Sequence, residues 1–235
     1  GVESLGMICS KEELGLEEKS KGIWILPEGT PPGPAGENVL GNEDWTMSLA
    51  ITSNRSDCLS INGLAREAAA AAGKRFTPVL SAVSETPGIA APAVTIEASE
   101  LCGRYAARLV RGVRIGPSPE WMVRRLESCG MRSINNIVDV TNYVLLEYGH
   151  PLHAFDLAKL EGGQIVVRRA REGERLVTLD GQERLLDPTM LVIADAARPV
   201  ALAGVMGGAN SEVSDGTVDI LLESAWFDPV SVRRT

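Results

Sequence analysis

The stretch Ser133-Ile-Asn-Asn-Ile-Val-Asp-Val-Thr-Asn-Tyr-Val-Leu-Leu-Glu-Tyr-Gly-His-Pro-Leu-His-Ala-Phe-Asp156 decides how the second half of the chain is built. Between Ile134 and Tyr148 apolar residues recur at three- to four-residue spacing, which predicts an amphipathic helix. Gly149 ends that helix and Pro151 follows it, an order typical of helix C-termini. The stretch therefore predicts a packed helix followed by a proline-rigidified loop that carries polar side chains.

Both histidines of the chain, His150 and His153, fall in this loop. His153 is either a core histidine bonded to a backbone carbonyl or a group that holds a ligand or a water in a pocket. A metal site would need the residues that recur here every three positions, Glu147, His150, His153 and Asp156. Pro151 breaks the helix that would align these side chains, so no metal is expected.

A second polar residue stands in an apolar setting far downstream. Glu223 lies within Ile220-Leu-Leu-Glu-Ser-Ala-Trp-Phe227, which reads as a buried strand. A carboxylate in such a strand costs several kcal/mol to desolvate unless it is paired. Glu223 therefore either forms an ion pair with one of the arginines or is kept as an acceptor for a ligand.

Glycines cluster between these two places, at Gly204, Gly207 and Gly208. They favour either a tight β-turn or a backbone that approaches a ligand closely. They do not form a dinucleotide-binding fingerprint, because a strand rather than a helix is expected after them.

The bulk composition is that of an ordinary globular protein, with 44% hydrophobic and 23% charged residues in 235. A net charge of −8 argues against a chain that coats nucleic acid by charge alone. The four cysteines are widely spaced, which predicts reduced thiols without structural zinc. The sequence shows neither a signal-peptide pattern nor a membrane-length apolar run. Reduced thiols lead us to expect a cytoplasmic protein.

Patterning along the chain predicts an α+β fold in four segments. Residues 1–42 are rich in turns, with a short strand at Gly22–Pro27, and residues 43–75 contain a strand at Trp45–Ile51 and a helix at Leu59–Ala72. Residues 76–92 read as a linker. Residues 93–235 combine helices with β-rich segments, so we expect a mixed sheet with packed helices.

Several of these segments resemble the bacterial phenylalanyl-tRNA synthetase β-subunit family. The resemblance is carried by the stretch from Ile134 to Asp156, by Ala201-Leu-Ala-Gly-Val-Met-Gly-Gly208 and by Leu221-Leu-Glu-Ser-Ala-Trp-Phe227. Gly1-Val-Glu-Ser-Leu-Gly-Met-Ile-Cys-Ser10 and Thr52-Ser-Asn-Arg-Ser-Asp-Cys-Leu-Ser60 match in the same order. His150 departs from the family, which usually has glutamine there.

The resemblance implies that the chain is an internal part of such a subunit. Residues 1–42 would be the C-terminal remnant of an OB-fold tRNA-binding module, and residues 43–75 part of a small N-terminal α+β module. After the linker at 76–92, residues 93–235 would form a B3/B4-type editing domain that lacks its C-terminal end. Two further pocket residues of the family lie beyond Thr235.

The resemblance also implies an activity: hydrolysis of tyrosine wrongly esterified to phenylalanine tRNA, within an enzyme that ligates phenylalanine to that tRNA. It assigns catalytic roles to His153, Asn142 and Glu223 and substrate binding to Thr141, Gly207 and Glu223. We expect Glu223 and Gly207 to read the tyrosine ring end. His153 and Asn142 would orient water and the terminal adenosine.

Partners and cofactors follow from the same resemblance. The implied partners are phenylalanine tRNA and the synthetase α subunit, in a heterotetramer of two α and two β subunits, without a membrane. No cofactor is expected in this part of the enzyme, whereas ATP and magnesium are implied for the whole. A non-catalytic tRNA-binding or scaffold module of the same enzyme is the alternative function.

Overall fold

The computed structural model describes residues 6–16, 19–26, 28–33, 45–78, 81–87 and 92–235. The chain separates into two compact units, Gly1–Ser48 and Leu49–Thr235. In the described part of the first unit no helix or strand forms. The strand predicted at Gly22–Pro27 is absent from 22–26, and Pro27 lies outside the described residues. A backbone bond from Trp24 N–H to the Cys9 carbonyl, at 2.9 Å, does not extend into a ladder.

The strand predicted at Trp45–Ile51 is also wrong, since residues 45–51 are irregular. The prediction rested on alternating apolar residues, which indicate a strand when a core covers one face. Here the alternate side chains are exposed, Trp45 by 93% and Met47 by 78%. Alternation without a covering face therefore did not produce a strand.

All regular strands and α-helices of the described residues belong to the second unit. The helices are α1 (Ile61–Ala71), α2 (Glu120–Ser128), α3 (Asn136–Tyr148) and α4 (Pro229–Arg234). The strands are β1 (Ala93–Ile96), β2 (Cys102–Val110), β3 (His153–Asp156), β4 (Gln164–Arg169), β5 (Arg175–Val177), β6 (Glu183–Leu185), β7 (Leu191–Ala194), β8 (Pro199–Leu202), β9 (Met206–Gly207) and β10 (Ile220–Phe227).

Capping residues set both ends of helix α3. The Asn135 side chain caps it by accepting hydrogen bonds from the backbone N–H groups of Ile137 and Val138. Gly149 ends it with a left-handed φ of 76°, which glycine adopts without strain. Inside the helix, the buried Asp139 carboxylate accepts hydrogen bonds from Ser118 and Ser133 and ties α3 to the preceding segment.

The larger sheet has five strands in the order β1-β4-β7-β8-β9. Strand β1 runs parallel to β4, while the remaining neighbours are antiparallel, so the predicted mixed sheet is confirmed. Strands β5 and β6 form a hairpin on the Asp180-Gly181 turn, a dipeptide that favours tight hairpin turns. It forms a separate two-stranded sheet.

The smaller sheet positions the site. Its order is β2-β10-β3, with β10 in the centre and antiparallel to both neighbours. Strand β3 was not predicted, because its four residues follow Pro151 in what the sequence indicated as a loop. In the observed register Glu223 of β10 lies opposite both Ala107 of β2 and His153 of β3.

Both sheets contribute side chains to one hydrophobic core. The smaller sheet supplies Phe155 and Leu221, and the larger sheet supplies Ile165, Val167 and Ile193, all with at most 1% exposure. Strands β3 and β10 therefore hold one face against a packed core. Over the described residues, no helix is long and apolar enough to cross a membrane.

Candidate functional site

A pocket of about 310 Å³ opens where β3 and β10 meet the turn between β8 and β9. Most of its wall is apolar and includes Leu152, Leu179 and Phe227. Of the described residues that line it, only His153 and Glu223 carry side-chain nitrogen or oxygen atoms. A concave apolar pocket with few convergent polar groups is the usual form of a small-ligand site.

Strand pairing brings the two polar residues together. Glu223 and His153 are cross-strand partners in an antiparallel pair, so their side chains project from the same face of the sheet. That face also carries Phe155 and Leu221 into the core. The sheet therefore delivers a carboxyl group and an imidazole to one pocket from residues 70 positions apart in sequence.

Among the described residues, Glu223 has no partner for its charge. It is 6% exposed, and none of the ion pairs or hydrogen bonds of the described residues includes it. Burial raises the pKa of Glu223 to about 8, so the carboxyl group is mostly protonated at neutral pH in the ligand-free pocket. The predicted alternative in which Glu223 forms an ion pair with an arginine is therefore not observed among the described residues.

His153 is similarly isolated. Its Nε2 atom is buried and has no hydrogen-bond partner among the described residues. Its ring packs edge-on against Phe155, with centroids 4.5 Å apart. Burial lowers the pKa of His153 to about 4, so the imidazole is neutral at physiological pH. The core-histidine interpretation, in which a backbone carbonyl satisfies the ring, does not account for this nitrogen.

Glycine is required at position 207, because the backbone there lies close to the ring of His153. A Cβ at this position would lie 2.5 Å from Cε1 and 2.8 Å from Nε2 of His153. The Gly207 carbonyl accepts a hydrogen bond from the Leu179 N–H at 3.1 Å. Nearby, Gly204 has a φ of 71° and forms the turn between β8 and β9. The glycines therefore serve both a tight turn and a close approach, in which the approaching group is a protein side chain.

Two other predicted site residues lie elsewhere. Thr141 and Asn142 are on α3, and neither lines this pocket. Thr141 is 8% exposed, and its hydroxyl donates to the carbonyl of Val138 at 2.7 Å. The structure thus brings His153, Gly207 and Glu223 together and leaves Thr141 and Asn142 outside the pocket.

The three-residue spacing around His153 does not gather a metal site. Among the described residues, the candidate ligand set is Asp57, Cys58 and Glu67. The guanidinium of Arg55 already pairs with both carboxylates of that set, at 2.9 and 2.7 Å. Asp156 accepts hydrogen bonds from the Thr217 hydroxyl and the Ala158 N–H.

Sequence reasoning missed Tyr105 of β2. Its hydroxyl oxygen is buried and has no hydrogen-bond partner among the described residues. Burial and the neighbouring Glu223 raise the pKa of Tyr105, so the group remains a protonated donor. A tyrosine in an alternating strand reads as ordinary core, and only the pairing of β2 with β10 reveals this position.

Comparison with known proteins places this site in a family. The B3/4 domain matches residues 101–235. The phenylalanine–tRNA ligase β subunits of Anaeromyxobacter dehalogenans and Geobacter sulfurreducens are 58% and 57% identical over the whole chain. The chain spans 30% of the length of these curated relatives.

An N-terminal fragment of the phenylalanyl-tRNA synthetase β subunit from Pyrococcus horikoshii gives a TM-score of 0.45 at 15% identity. That match covers 76% of this chain and 55% of the other, and is too weak to establish a common fold. The family match, in contrast, covers more than half of the chain and contains β3, β9 and β10, which form the pocket. The chain belongs to the B3/4 domain family.

Proposed function

We propose that this chain is part of a phenylalanyl-tRNA synthetase β subunit, and that its pocket hydrolyses tyrosine wrongly esterified to phenylalanine tRNA. The observation that carries the proposal is the buried, unpaired carboxyl group of Glu223 beside His153 in an otherwise apolar pocket. Sequence identity of 58% to a phenylalanine–tRNA ligase β subunit supports the parent enzyme. The proposed partners are phenylalanine tRNA and the α subunit, in the cytoplasm, with ATP and magnesium used elsewhere in the complete enzyme.

The pocket suits a tyrosine side chain for a physical reason. Apolar residues such as Leu152, Leu179 and Phe227 accept an aromatic ring, and Glu223 supplies the acceptor that a phenolic hydroxyl needs. A phenylalanine side chain would fill the same walls but leave Glu223 unsatisfied. Sites that hydrogen-bond a hydroxyl reject analogues lacking it far more strongly than apolar sites reject an added hydroxyl.

Ligand binding changes the charge state of Glu223. The carboxyl group is mostly protonated in the empty pocket, because burial disfavours the anion. A phenolic O–H that donates to Glu223 stabilises the carboxylate and lowers its pKa. Recognition of tyrosine is therefore coupled to loss of a proton from this group.

The state of His153 favours orientation over proton abstraction. A base whose pKa is near 4 accepts a proton poorly at neutral pH. A neutral imidazole with an unsatisfied Nε2 can instead hydrogen-bond a water or the ester group. We assign His153 to holding the attacking water, while Asn142 and Thr141, outside the pocket, would contact the tRNA end.

The decisive experiment substitutes Glu223→Ala in the assembled synthetase. We expect hydrolysis of tyrosyl-tRNA to fall by at least about tenfold, the loss of one hydrogen bond to a charged group, while phenylalanine activation persists. Single-turnover deacylation measures the first and ATP–pyrophosphate exchange the second.

Glu127→Ala is the matched control, because Glu127 is exposed on α2 and outside the pocket. Deacylation by this variant should match the native rate. If Glu223→Ala also deacylates at the native rate, the editing role is rejected, and the tRNA-binding or scaffold role becomes the better account.

A further inference from the structure

Tyr105 is a buried donor that the proposed reaction does not yet use. Its side chain packs against the core shared by the two sheets, as do those of Ala107 and Phe227. The hydroxyl oxygen nevertheless has no partner among the described residues. A buried unpaired hydroxyl is costly, and in a native protein such a group calls for a specific explanation.

The strand register places Tyr105 diagonally across from Glu223 on the same face of the sheet. Glu223 lies opposite Ala107, and Tyr105 is two residues from Ala107 on the same face of β2. Such diagonal neighbours are within reach of an aromatic side chain. The electrostatic influence of Glu223 on the pKa of Tyr105, secondary to that of burial, agrees with this placement.

Tyr105 does not line the pocket, so it acts on a ligand through Glu223. We propose that Tyr105 is a positioning residue: its hydroxyl donates a hydrogen bond to the Glu223 carboxylate when a phenolic side chain enters the pocket. This inference rests on the proposed function, and it adds a residue that sets the preference for tyrosine over phenylalanine.

The chemistry needs two donors for two oxygens. On ligand entry Glu223 releases its proton to solvent, and its two oxygens accept one O–H from the ligand and one from Tyr105. Only this proton moves, and no bond between non-hydrogen atoms forms or breaks. Among the described residues, the other titratable groups that bear on Glu223 are His153, its cross-strand partner on β3, and the Cys102 thiol of β2. Burial and, less strongly, Glu223 raise the pKa of that thiol. Neither is positively charged at neutral pH, so the two hydroxyls are the groups that stabilise the anion.

The conservative change Tyr105→Phe removes the donor and keeps the ring. In the assembled synthetase we expect the tyrosyl-over-phenylalanyl deacylation ratio to fall about tenfold, as for loss of one charged hydrogen bond. The rise of kcat with pH, which reports the enzyme–substrate complex, should move to higher pH because the carboxylate has lost a donor.

Tyr143→Phe makes the same chemical change outside the pocket, where the Tyr143 hydroxyl bonds Arg125 on the surface. This control should keep both the native ratio and the native pH profile. A merely structural role for Tyr105 predicts that both esters slow equally with no change in pH profile, and that result would overturn the proposal.

A measurement on the chain itself separates this inference from the proposed activity. The carboxylate and carboxylic acid bands of Glu223, identified by difference against Glu223→Gln, are followed through a pH titration by infrared spectroscopy. p-Cresol supplies the phenol, and toluene is the matched compound without the hydroxyl. We expect p-cresol, but not toluene, to move the Glu223 titration to lower pH.

In Tyr105→Phe the shift caused by p-cresol should be clearly smaller than in the native chain. A shift of native size would overturn the role of Tyr105, whether or not the enzyme deacylates tyrosyl-tRNA. A native enzyme without deacylation, together with a reduced shift in the variant, would reject the editing function and leave the Tyr105–Glu223 coupling in place.

Discussion

At the scale of single residues, the pocket is unusual because its two polar side chains are both held in their neutral forms. Burial raises the pKa of Glu223 and lowers that of His153, and no described residue supplies an opposing charge. Groups buried without partners reduce the stability of the fold, and they are retained where a ligand uses them. Under the proposed function, the pocket gives up some stability so that these two groups remain available to a ligand.

This trade predicts a dependence of stability on pH. The pKa of Glu223 is about 8 in the folded chain against an ordinary value of 4.5, so folding retains a proton that the unfolded chain releases between those values. The contribution of Glu223 to stability is full below about pH 4.5 and is lost as pH rises through 8. We expect Glu223→Gln to be more stable than the native chain at pH 8, by on the order of 1–3 kcal/mol, and similar to it at pH 4.

Urea unfolding at the two pH values measures this difference. The same substitution at exposed Glu127 is the control and should leave the midpoint unchanged at both. A stabilisation by Glu223→Gln that is equal at pH 4 and pH 8 would contradict the assigned titration.

At this scale the sequence predicted the site residues whose polar side chains stand among apolar neighbours. Glu223 in an apolar strand and His153 between apolar neighbours both signalled a site before any contact was known. Tyr105 gave no such signal, because tyrosine is common in strands. Only its buried hydroxyl, which has no partner among the described residues, distinguishes it. Thr141 and Asn142 rested on resemblance, and neither lines this pocket.

At the scale of elements, the approach of the two-residue strand β9 to β3 sets the geometry of the site. The imidazole of His153 occupies the space where a side chain at position 207 would begin. The end of α3 at Gly149 followed from local sequence, since a helix cap depends on neighbours within a few residues. Strand β3 did not, because four residues after a proline give too short a pattern to read.

Gly207→Ala tests this approach. The added methyl group would meet the His153 ring at 2.5 Å, so the ring must move, and we expect tyrosyl-tRNA deacylation to fall by about a hundredfold as the reacting groups are misplaced. Stability should fall by about 1–3 kcal/mol through overpacking. Single-turnover deacylation and urea unfolding measure the two effects.

Gly216→Ala is the matched control, because no atom lies within 4 Å of the position that its Cβ would take. It should leave deacylation and stability near native values. Native deacylation by Gly207→Ala would show that the close approach of β9 is not needed for the reaction.

At the scale of the whole molecule, the two larger sheets share one hydrophobic core, and each sheet buries apolar side chains against the other. The pairing of β1 with β4 and of β2 with β10 joins strands about 70 and 115 residues apart. Such pairings depend on non-local packing, which a local hydrophobic pattern does not encode. The class of fold was therefore predictable from sequence, whereas the strand order that creates the pocket was not.

Leu221→Ala tests the shared core. Leu221 is fully buried on β10, and its truncation should lower the free energy of unfolding by about 2–5 kcal/mol. The control Leu185→Ala, on the separate two-stranded sheet and 60% exposed, should cost less than about 1 kcal/mol. Similar costs for the two variants, measured by urea unfolding, would contradict a core that both sheets share.

The central place of β10 has one more consequence. Because strands on both edges hold β10, Glu223 stands on a backbone that is fixed before any ligand arrives. A ligand that enters such a preorganised wall does not spend binding free energy on ordering the protein. The affinities of related aromatic compounds should then depend on the shape and hydroxyl position of each compound, and not on how far each one has to reorder the protein.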